Sequence, residues 1–331
     1  MIRHVNLGRT GLQVSRLCLG TMTFGYQRDE EESMAILDAS FEAGITFIDT
    51  ADVYPLGGDL TTVGRTEEIV GQWMAGRRDE VILATKCVGV MSERRWDRGA
   101  SRKHIFDAVD ASLRRLGTDY IDLYQLHSYD PATPIEESLG ALDDLIHQGK
   151  IRYAGCSNFA AWQLARSLGK SETLGLARFD SIQPRYNLLY RRNELELFPL
   201  ATLEGVGVIP YNPIAGGLLS GKHQLSAAPP KGGRFALGSA AGRYQDRYWH
   251  EAQFAAVEQL RSLADQAGMS LVTLAVAWCL AQPAITSPII GASRPEQLAD
   301  SVAALDVTLD EDLYQQLDLV TEPWKASAEL R

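Results

Sequence analysis

Four side chains that can hold or move a proton stand at the ends of extended, largely apolar segments. Asp49 ends the segment 47–49, and Tyr54 lies in the loop behind it. Lys86 ends the segment 82–86, and His127 ends the segment 123–127. A carboxylate, a phenol, an ammonium and an imidazole together can deliver a proton to an oxygen that gains charge during a reaction.

The four groups complement one another chemically. A phenol with a pKa of about 10 is a weak acid at neutral pH, and a nearby ammonium stabilises its phenolate, so we expect Lys86 to lower the pKa of Tyr54. Asp49 as an ion-pair partner would keep a buried Lys86 charged. His127 can hydrogen-bond the same oxygen or relay a proton. Each residue alone also fits a structural role, such as a turn cap, a loop anchor or a strand end.

The segments around these residues alternate between strand-like and helix-like patterns, which favours parallel strands joined by helices. Predicted strands cover 17–20, 46–49, 81–85, 121–126, 151–156, 181–184, 206–211 and 287–290. Predicted helices cover 31–43, 65–74, 102–116, 135–147, 160–168, 194–203, 251–267, 271–281 and 295–304. Eight strands predict an α/β fold of the (β/α)8 TIM-barrel type, whose strand ends and following loops meet at one rim. The four side chains would then be neighbours.

Two loops and a hairpin interrupt this alternation. Segments 3–7 and 13–15 predict an N-terminal β-hairpin across the turn-prone residues 8–11. The long segment 215–249 follows the seventh barrel strand without clear periodicity, which predicts a functional loop or lid. A second irregular loop covers 53–64. No linker divides the sequence, so a single barrel domain over 1–331 is expected.

Composition narrows the class of protein. With 32 Lys and Arg against 42 Asp and Glu, the net charge of −10 disfavours nucleic acid and anionic membranes as partners. We expect a cytoplasmic location, since no signal peptide or membrane span is evident. The four cysteines lie far apart without the spacing of a metal site, which predicts buried thiols and no bound metal.

Three stretches are similar in order and spacing to those of the aldo-keto reductases: FIDTADVY at 47–54, ATK at 84–86 and DLYQLH at 122–127. The likeness extends from about Leu7 to about Asp318. It implies reduction of a carbonyl by NADPH, with Tyr54 as general acid. It further implies that Lys86 and His127 tune and orient Tyr54 and that Asp49 holds Lys86.

The resemblance also implies a nicotinamide site, although no Gly-x-Gly-x-x-Gly turn follows an early strand. Ser157, Asn158 and Gln183 would hold the carboxamide, and Tyr211 would stack on the ring. Ser293 and Arg294 would meet a 2′-phosphate and Gln297 the adenine, so NADPH is expected over NADH. Ser301 stands where the family commonly has Asn. The remaining predicted cofactor residues are Thr21, Met22, Asp49, Asn212, Pro213, Ile214, Ala215, Gly217, Leu218, Lys222 and Gly291.

The sequence indicates the type of reaction more clearly than the substrate. Trp96, Tyr129 and Tyr248 are candidates for the substrate pocket. The Arg/Tyr-rich and Gly-rich loops admit a sugar or other polyhydroxylated carbonyl, including a nucleotide-linked ketosugar, as well as a simple aromatic aldehyde. One alternative is a nicotinamide-binding regulatory or redox-sensing subunit with slow turnover. Another is a barrel isomerase or lyase that uses no nicotinamide. The oligomeric state stays open.

Overall fold

The computed structural model describes residues 2–326, and the chain begins with an antiparallel hairpin. β1 (His4–Asn6) pairs with β2 (Gln13–Ser15), as predicted. Leu7 and Val14 are fully buried and belong to one apolar cluster with Phe47, Leu123 and other residues of the barrel interior. Because Phe47 starts its strand, the hairpin closes the end of the barrel opposite the strand carboxyl ends.

Eight parallel strands form the barrel, and the predicted fold class is confirmed. Their order in the sheet is β10-β3-β4-β5-β6-β7-β8-β9. A parallel bridge between Tyr211 and Ile289 joins the two outer strands, and the Ile289 N–H donates to the Pro210 carbonyl at 2.8 Å. The strands are β3 (Cys18–Gly20), β4 (Phe47–Asp49), β5 (Ile82–Cys87), β6 (Ile121–Leu126), β7 (Ile151–Ser157), β8 (Ser181–Gln183), β9 (Gly207–Val208) and β10 (Ile289–Ile290).

Helices surround the strands, and a large apolar core fills the layer between them. The α-helices are α1 (Glu30–Glu42), α2 (Arg65–Met74), α3 (Arg102–Leu116), α4 (Ile135–His147), α5 (Ala161–Leu174), α6 (Leu197–Glu204), α7 (Ala241–Tyr248), α8 (Glu251–Gln266), α9 (Leu271–Ala281), α10 (Leu298–Ala303) and α11 (Glu311–Thr321). Capping residues in the sequence determine where several of these helices begin. Asp29 and Glu32 form a reciprocal capping box at α1, and the Ser101 hydroxyl accepts from the His104 N–H at α3.

The structure differs from the sequence prediction in several places, and α5 runs six residues beyond its predicted end at 168. The loop 215–249 contains α7, an eight-residue helix that the sequence prediction left within the loop and whose buried residues are Tyr244 and Tyr248. α11 was not predicted, although Asp310 caps its first turn. β9 is shorter than the predicted strand 206–211, partly because Pro210 has no N–H for the sheet.

The ends of the predicted domain, Met1 and 327–331, lie outside the described residues. Within the described part of the chain all four cysteines are buried and free, as expected. No single described helix is long and apolar enough to cross a membrane. α8 and α9 satisfy length and composition only as a pair, and that pair is bent by 91°.

Candidate active site

A buried ion pair lies at the carboxyl ends of β4 and β5. The Lys86 ammonium donates to Oδ1 of Asp49 at 2.6 Å and to the Thr50 carbonyl at 2.7 Å. Lys86 is fully buried, and Asp49 is 3% exposed. The predicted pairing of these two residues is therefore present, and it lies where solvent screens it little.

Two glutamines saturate the other carboxylate oxygen. Oδ2 of Asp49 accepts from Nε2 of Gln183 at 2.8 Å and from Nε2 of Gln125 at 3.2 Å. Gln125 was not assigned a role from the sequence. Its position two residues before His127 was the available signal, because alternate residues of a strand share a face.

Tyr54 lies above this pair. The Lys86 ammonium is 5.2 Å from the centroid of the Tyr54 ring, and the Tyr54 and His127 rings meet edge to face with centroids 5.8 Å apart. Burial raises the pKa of the Tyr54 phenol, and although Lys86 acts in the opposite direction, the net effect is a pKa above the usual value. Lys86 thus lowers the pKa of Tyr54 as expected, but desolvation is the larger effect and decides the net direction.

The charges of Lys86 and His127 follow from their surroundings. Burial alone would lower the pKa of Lys86, but the Asp49 carboxylate, the Tyr54 phenol and the hydrogen bond to Asp49 raise it, so the ammonium persists. Desolvation, together with the positive charges of Lys86 and Arg243, lowers the pKa of His127 to about 3. At neutral pH the site thus holds a neutral phenol and a neutral imidazole beside an ammonium.

Backbone hydrogen bonds hold the loop that carries Tyr54. The Leu56 N–H donates to the Met22 carbonyl at 2.8 Å, and the Gly64 N–H donates to the Tyr54 carbonyl at 3.0 Å. The hydroxyl of Thr66, at the start of α2, donates to the Phe24 carbonyl at 2.7 Å. The irregular sequence of this loop therefore folds into a fixed position against the loop after β3.

The loops after β7 and β9 meet His127 through side chains. Asn158 donates to the His127 carbonyl at 3.0 Å, and the Tyr211 hydroxyl donates to Oδ1 of Asn158 at 2.8 Å. The Ser157 hydroxyl donates to the Gln183 carbonyl at 2.8 Å. The side-chain amide of Gln183 donates to Oδ2 of Asp49 and to Oε1 of Gln125. Gln183, which was predicted to hold the cofactor carboxamide, therefore faces the ion pair.

A groove-like cavity of about 290 Å³ runs from this rim to the loop after β10. Predicted cofactor residues that line it are Met22, Tyr211, Asn212, Pro213, Ile214, Gly217, Lys222, Gly291, Ser293 and Gln297. Sequence reasoning missed Gln27, Lys231 and Arg234, which also line it. Gln27 donates to the Gly232 carbonyl, so the long loop is tied across the cavity.

The residues present fit an elongated dinucleotide. Gly216 and Gly217 adopt positive φ angles, and a Cβ at Gly291 would meet nothing within 4 Å, so the backbone is open to a ligand there. Lys222 and Arg234 have no carboxylate partner among the described residues. Cations without a counter-charge along a cavity suit a pyrophosphate.

Other predicted cofactor residues lie beside the cavity rather than on its lining. The Thr21 hydroxyl donates to the Asp49 carbonyl at 3.0 Å, and Ala215 and Leu218 are fully buried, which leaves only their backbone for contacts. Arg294 is exposed next to Ser293. Ser301 is buried in α10.

The three substrate candidates have different surroundings. Trp96 is exposed in the loop after β5, and Tyr129 packs edge to face on Phe159 with centroids 5.3 Å apart. Tyr248 is fully buried, and its hydroxyl accepts from Asn187 at 3.0 Å. Tyr248 is thus a packing residue of α7 in this structure instead of the predicted pocket residue.

Comparisons with known proteins agree with this architecture. A model of the Aldo/keto reductase family matches residues 16–322. The chain is 38% identical to an uncharacterized oxidoreductase YrpG of Bacillus subtilis, over 96% of this chain and 95% of that protein. It is 36% identical to a probable voltage-gated potassium channel subunit beta of Arabidopsis thaliana, over 92% of each chain. It is 33% identical to a versiconal hemiacetal acetate reductase of Aspergillus parasiticus, over 99% of this chain and 98% of that protein.

Proposed function

Because the chain belongs to the aldo/keto reductase family and is an oxidoreductase of the NAD(P)H-dependent class that acts on carbonyls, we propose that it reduces an aldehyde or ketone with NADPH. The observation that carries this proposal is the buried Lys86–Asp49 pair beneath Tyr54, at the rim where the long cavity begins. The substrate class stays wide, from sugars and other polyhydroxylated carbonyls to aromatic aldehydes.

The side chains have distinct roles in this proposal. Tyr54 is protonated at neutral pH and acts as general acid toward the carbonyl oxygen. The Lys86 ammonium stabilises the phenolate left after transfer, and Asp49 keeps that ammonium charged. The neutral imidazole of His127 orients the carbonyl by a hydrogen bond.

The reaction balances with one hydride and one proton. Bound NADPH would supply the hydride to the carbonyl carbon, which is chemistry that no side chain provides. Tyr54 gives its proton to the oxygen, so the product is an alcohol. Water then returns a proton to the Tyr54 oxygen.

NADPH rather than NADH is proposed from the loop after β10. Arg294 is exposed beside Ser293, whose N–H donates to Oε1 of Gln297 at 2.8 Å. A guanidinium at this place can meet a 2′-phosphate with two parallel hydrogen bonds. NADH lacks that phosphate.

A second candidate function is a nicotinamide-binding regulatory or redox-sensing subunit with slow turnover. The observation that favours it is the similarity to plant proteins named as probable potassium channel β subunits, from Arabidopsis thaliana and, at 37% identity, Oryza sativa. Both functions would use the same cavity. They differ in the rate at which bound cofactor is consumed.

A panel of aldehydes and ketones, followed by NADPH absorbance, separates the two. Reductase function predicts substrate-dependent NADPH consumption at ordinary enzyme turnover, about 1 per second or faster. Tight NADPH binding with no consumption across the panel would favour the sensing subunit. Absence of binding to both NADPH and NADH would contradict both.

A further inference from the structure

A second cavity, of about 510 Å³, lies between the loops after β7 and β8 and helix α7. None of Asp49, Tyr54, Lys86 and His127 lines it. Tyr211 is the residue that lines both this cavity and the proposed cofactor cavity. Asn158, which was predicted to hold the cofactor carboxamide, lines the second cavity as well, so this cavity adjoins the proposed active site.

The lining of this cavity is strongly positive in a protein of net charge −10. Arg185, Arg192 and Arg247 line it, and the one carboxylate of its lining belongs to the exposed Glu196. Arg247 is partly buried on α7, and Arg192 is exposed. Positive charge gathered in a concave site attracts anions.

Arg185 is the most buried of these arginines, at 6% exposed. Its guanidinium carbon lies 3.5 Å from the centroid of the Tyr190 ring, and its Nη1 is buried with no hydrogen-bond partner. Arg191 is also buried, at 1% exposed, but pairs with Glu194 at 2.8 Å. No such carboxylate accompanies Arg185 in the part of the chain that the structure describes, so its charge lacks a counterion.

The amino end of α5 opens on the same cavity. The first N–H groups of a helix have no acceptor within the helix, and the residue that precedes them usually supplies a side-chain oxygen. Here that residue is Ala160, which has no side-chain oxygen, and the Gln163 side chain accepts only from the Ala160 N–H, at 2.8 Å. Ala160, Ala161 and Trp162 all line the cavity, so the positive end of the helix dipole adds to the arginines.

We propose that this cavity binds an oxyanion group, a carboxylate or a phosphate, held by Arg185 and Arg247 at the amino end of α5. A buried guanidinium with no carboxylate partner, beside the first N–H groups of a helix, is costly unless an anion compensates it. The anion comes either as a free ion or as the acidic group of a carbonyl substrate. Binding itself does not depend on the proposed reduction.

Isothermal titration calorimetry of the full chain with inorganic phosphate, and separately with succinate, tests the site. Arg185→Gln and Arg247→Gln should each weaken binding roughly 10- to 100-fold, because each removes a charge-assisted hydrogen bond. Arg152→Gln is the matched control, since Arg152 is exposed at the start of β7, at the opposite end of the barrel. If Arg185→Gln lowers the melting temperature, the partly buried Arg247→Gln carries the test alone.

Two results would overturn the proposal. One is unchanged binding of phosphate and succinate in Arg185→Gln and Arg247→Gln. The other is binding that disappears only in Arg294→Ala, which would assign the anion to the proposed cofactor site. Loss in the cavity variants with retention in Arg294→Ala supports it.

Steady-state kinetics with two aldehydes of equal chain length, succinic semialdehyde and butanal, then identify the source of the anion. This second experiment rests on the proposed reduction. If the anion belongs to the substrate, Arg185→Gln raises KM roughly tenfold for succinic semialdehyde and leaves butanal unchanged. Equal changes in KM for the two aldehydes would show that the cavity binds a free anion and not the acidic group of the substrate. If neither aldehyde is reduced, the reductase proposal fails on these substrates while the calorimetry still decides the anion site.

Discussion

The Lys86 ammonium lies 2.6 Å from Oδ1 of Asp49, and both side chains are almost completely withdrawn from water. An ion pair in such a place costs free energy to bury and is stable only when its remaining polar atoms are satisfied. Thr50, Gln125 and Gln183 supply those bonds. The pair is thus a buried ion pair that keeps the Lys86 ammonium charged beneath Tyr54, and it differs in this from a surface salt bridge.

Replacing Asp49 with Asn should destabilise the fold by about 3–5 kcal/mol, because Lys86 then stays buried without a counter-charge. Urea unfolding measures the loss. Asp107→Asn is the control, since the Lys103–Asp107 pair is exposed and its removal should cost at most about 1 kcal/mol. Equal losses for the two variants would mean that the buried pair is not stabilised by its charge.

Replacing Arg294 with Ala should weaken NADPH roughly 10- to 100-fold and leave NADH nearly unchanged, because only NADPH carries the 2′-phosphate. Dissociation constants from fluorescence titration check this. Arg152→Ala, exposed at the opposite end of the barrel, should change neither value. Equal weakening of both cofactors would remove the 2′-phosphate assignment.

The rate of the proposed chemical step should be flat from about pH 5 to pH 9, because His127 is already neutral and Tyr54 still protonated across that window. The pKa of His127 near 3 places its protonation below the window, and the raised pKa of Tyr54 places its deprotonation above. Single-turnover rates against pH measure this. A transition near pH 6.5 that vanishes in His127→Gln would show that the imidazole titrates normally.

Desolvation of the neutral His127 imidazole also makes stability depend on pH. Its pKa of about 3 in the folded protein is below the unfolded value of about 6.5, so the unfolded chain binds the extra proton between these values. Stability contributed by this group is therefore full above about pH 6.5 and is lost as pH falls. Urea midpoints from pH 7 to pH 4 should fall more steeply in the parent than in His127→Gln. Parallel decreases would contradict the lowered pKa.

Much of the fold could be predicted because its signals are local. The eight strands and the residues at their ends follow from short apolar segments between periodic helices, and parallel strands bring Asp49 and Lys86 to the same edge. Capping residues such as Asp29 and Ser101 mark helix starts directly. The hairpin follows from its turn residues.

Features that depend on tertiary contacts could not be predicted. The net pKa of Tyr54 reflects how completely the folded chain excludes water from it, which no pattern reveals. The bonds from Gln125 and Gln183 to Asp49 join residues 76 and 134 positions apart. The missing counterion of Arg185 is visible only once its neighbours are known, and α7 is a helix of only eight residues inside a long loop.

The most direct test of the proposed reduction follows deuterium from NADPH that carries deuterium at both C4 positions into the product, in the parent protein and in Tyr54→Phe. We predict that the parent delivers deuterium to the former carbonyl carbon. Tyr54→Phe should bind NADPH with parent affinity but lose about 10²- to 10⁴-fold in turnover, because the ring stays and the proton donor is removed. Undiminished turnover in Tyr54→Phe, or an alcohol without deuterium at that carbon, would contradict the account.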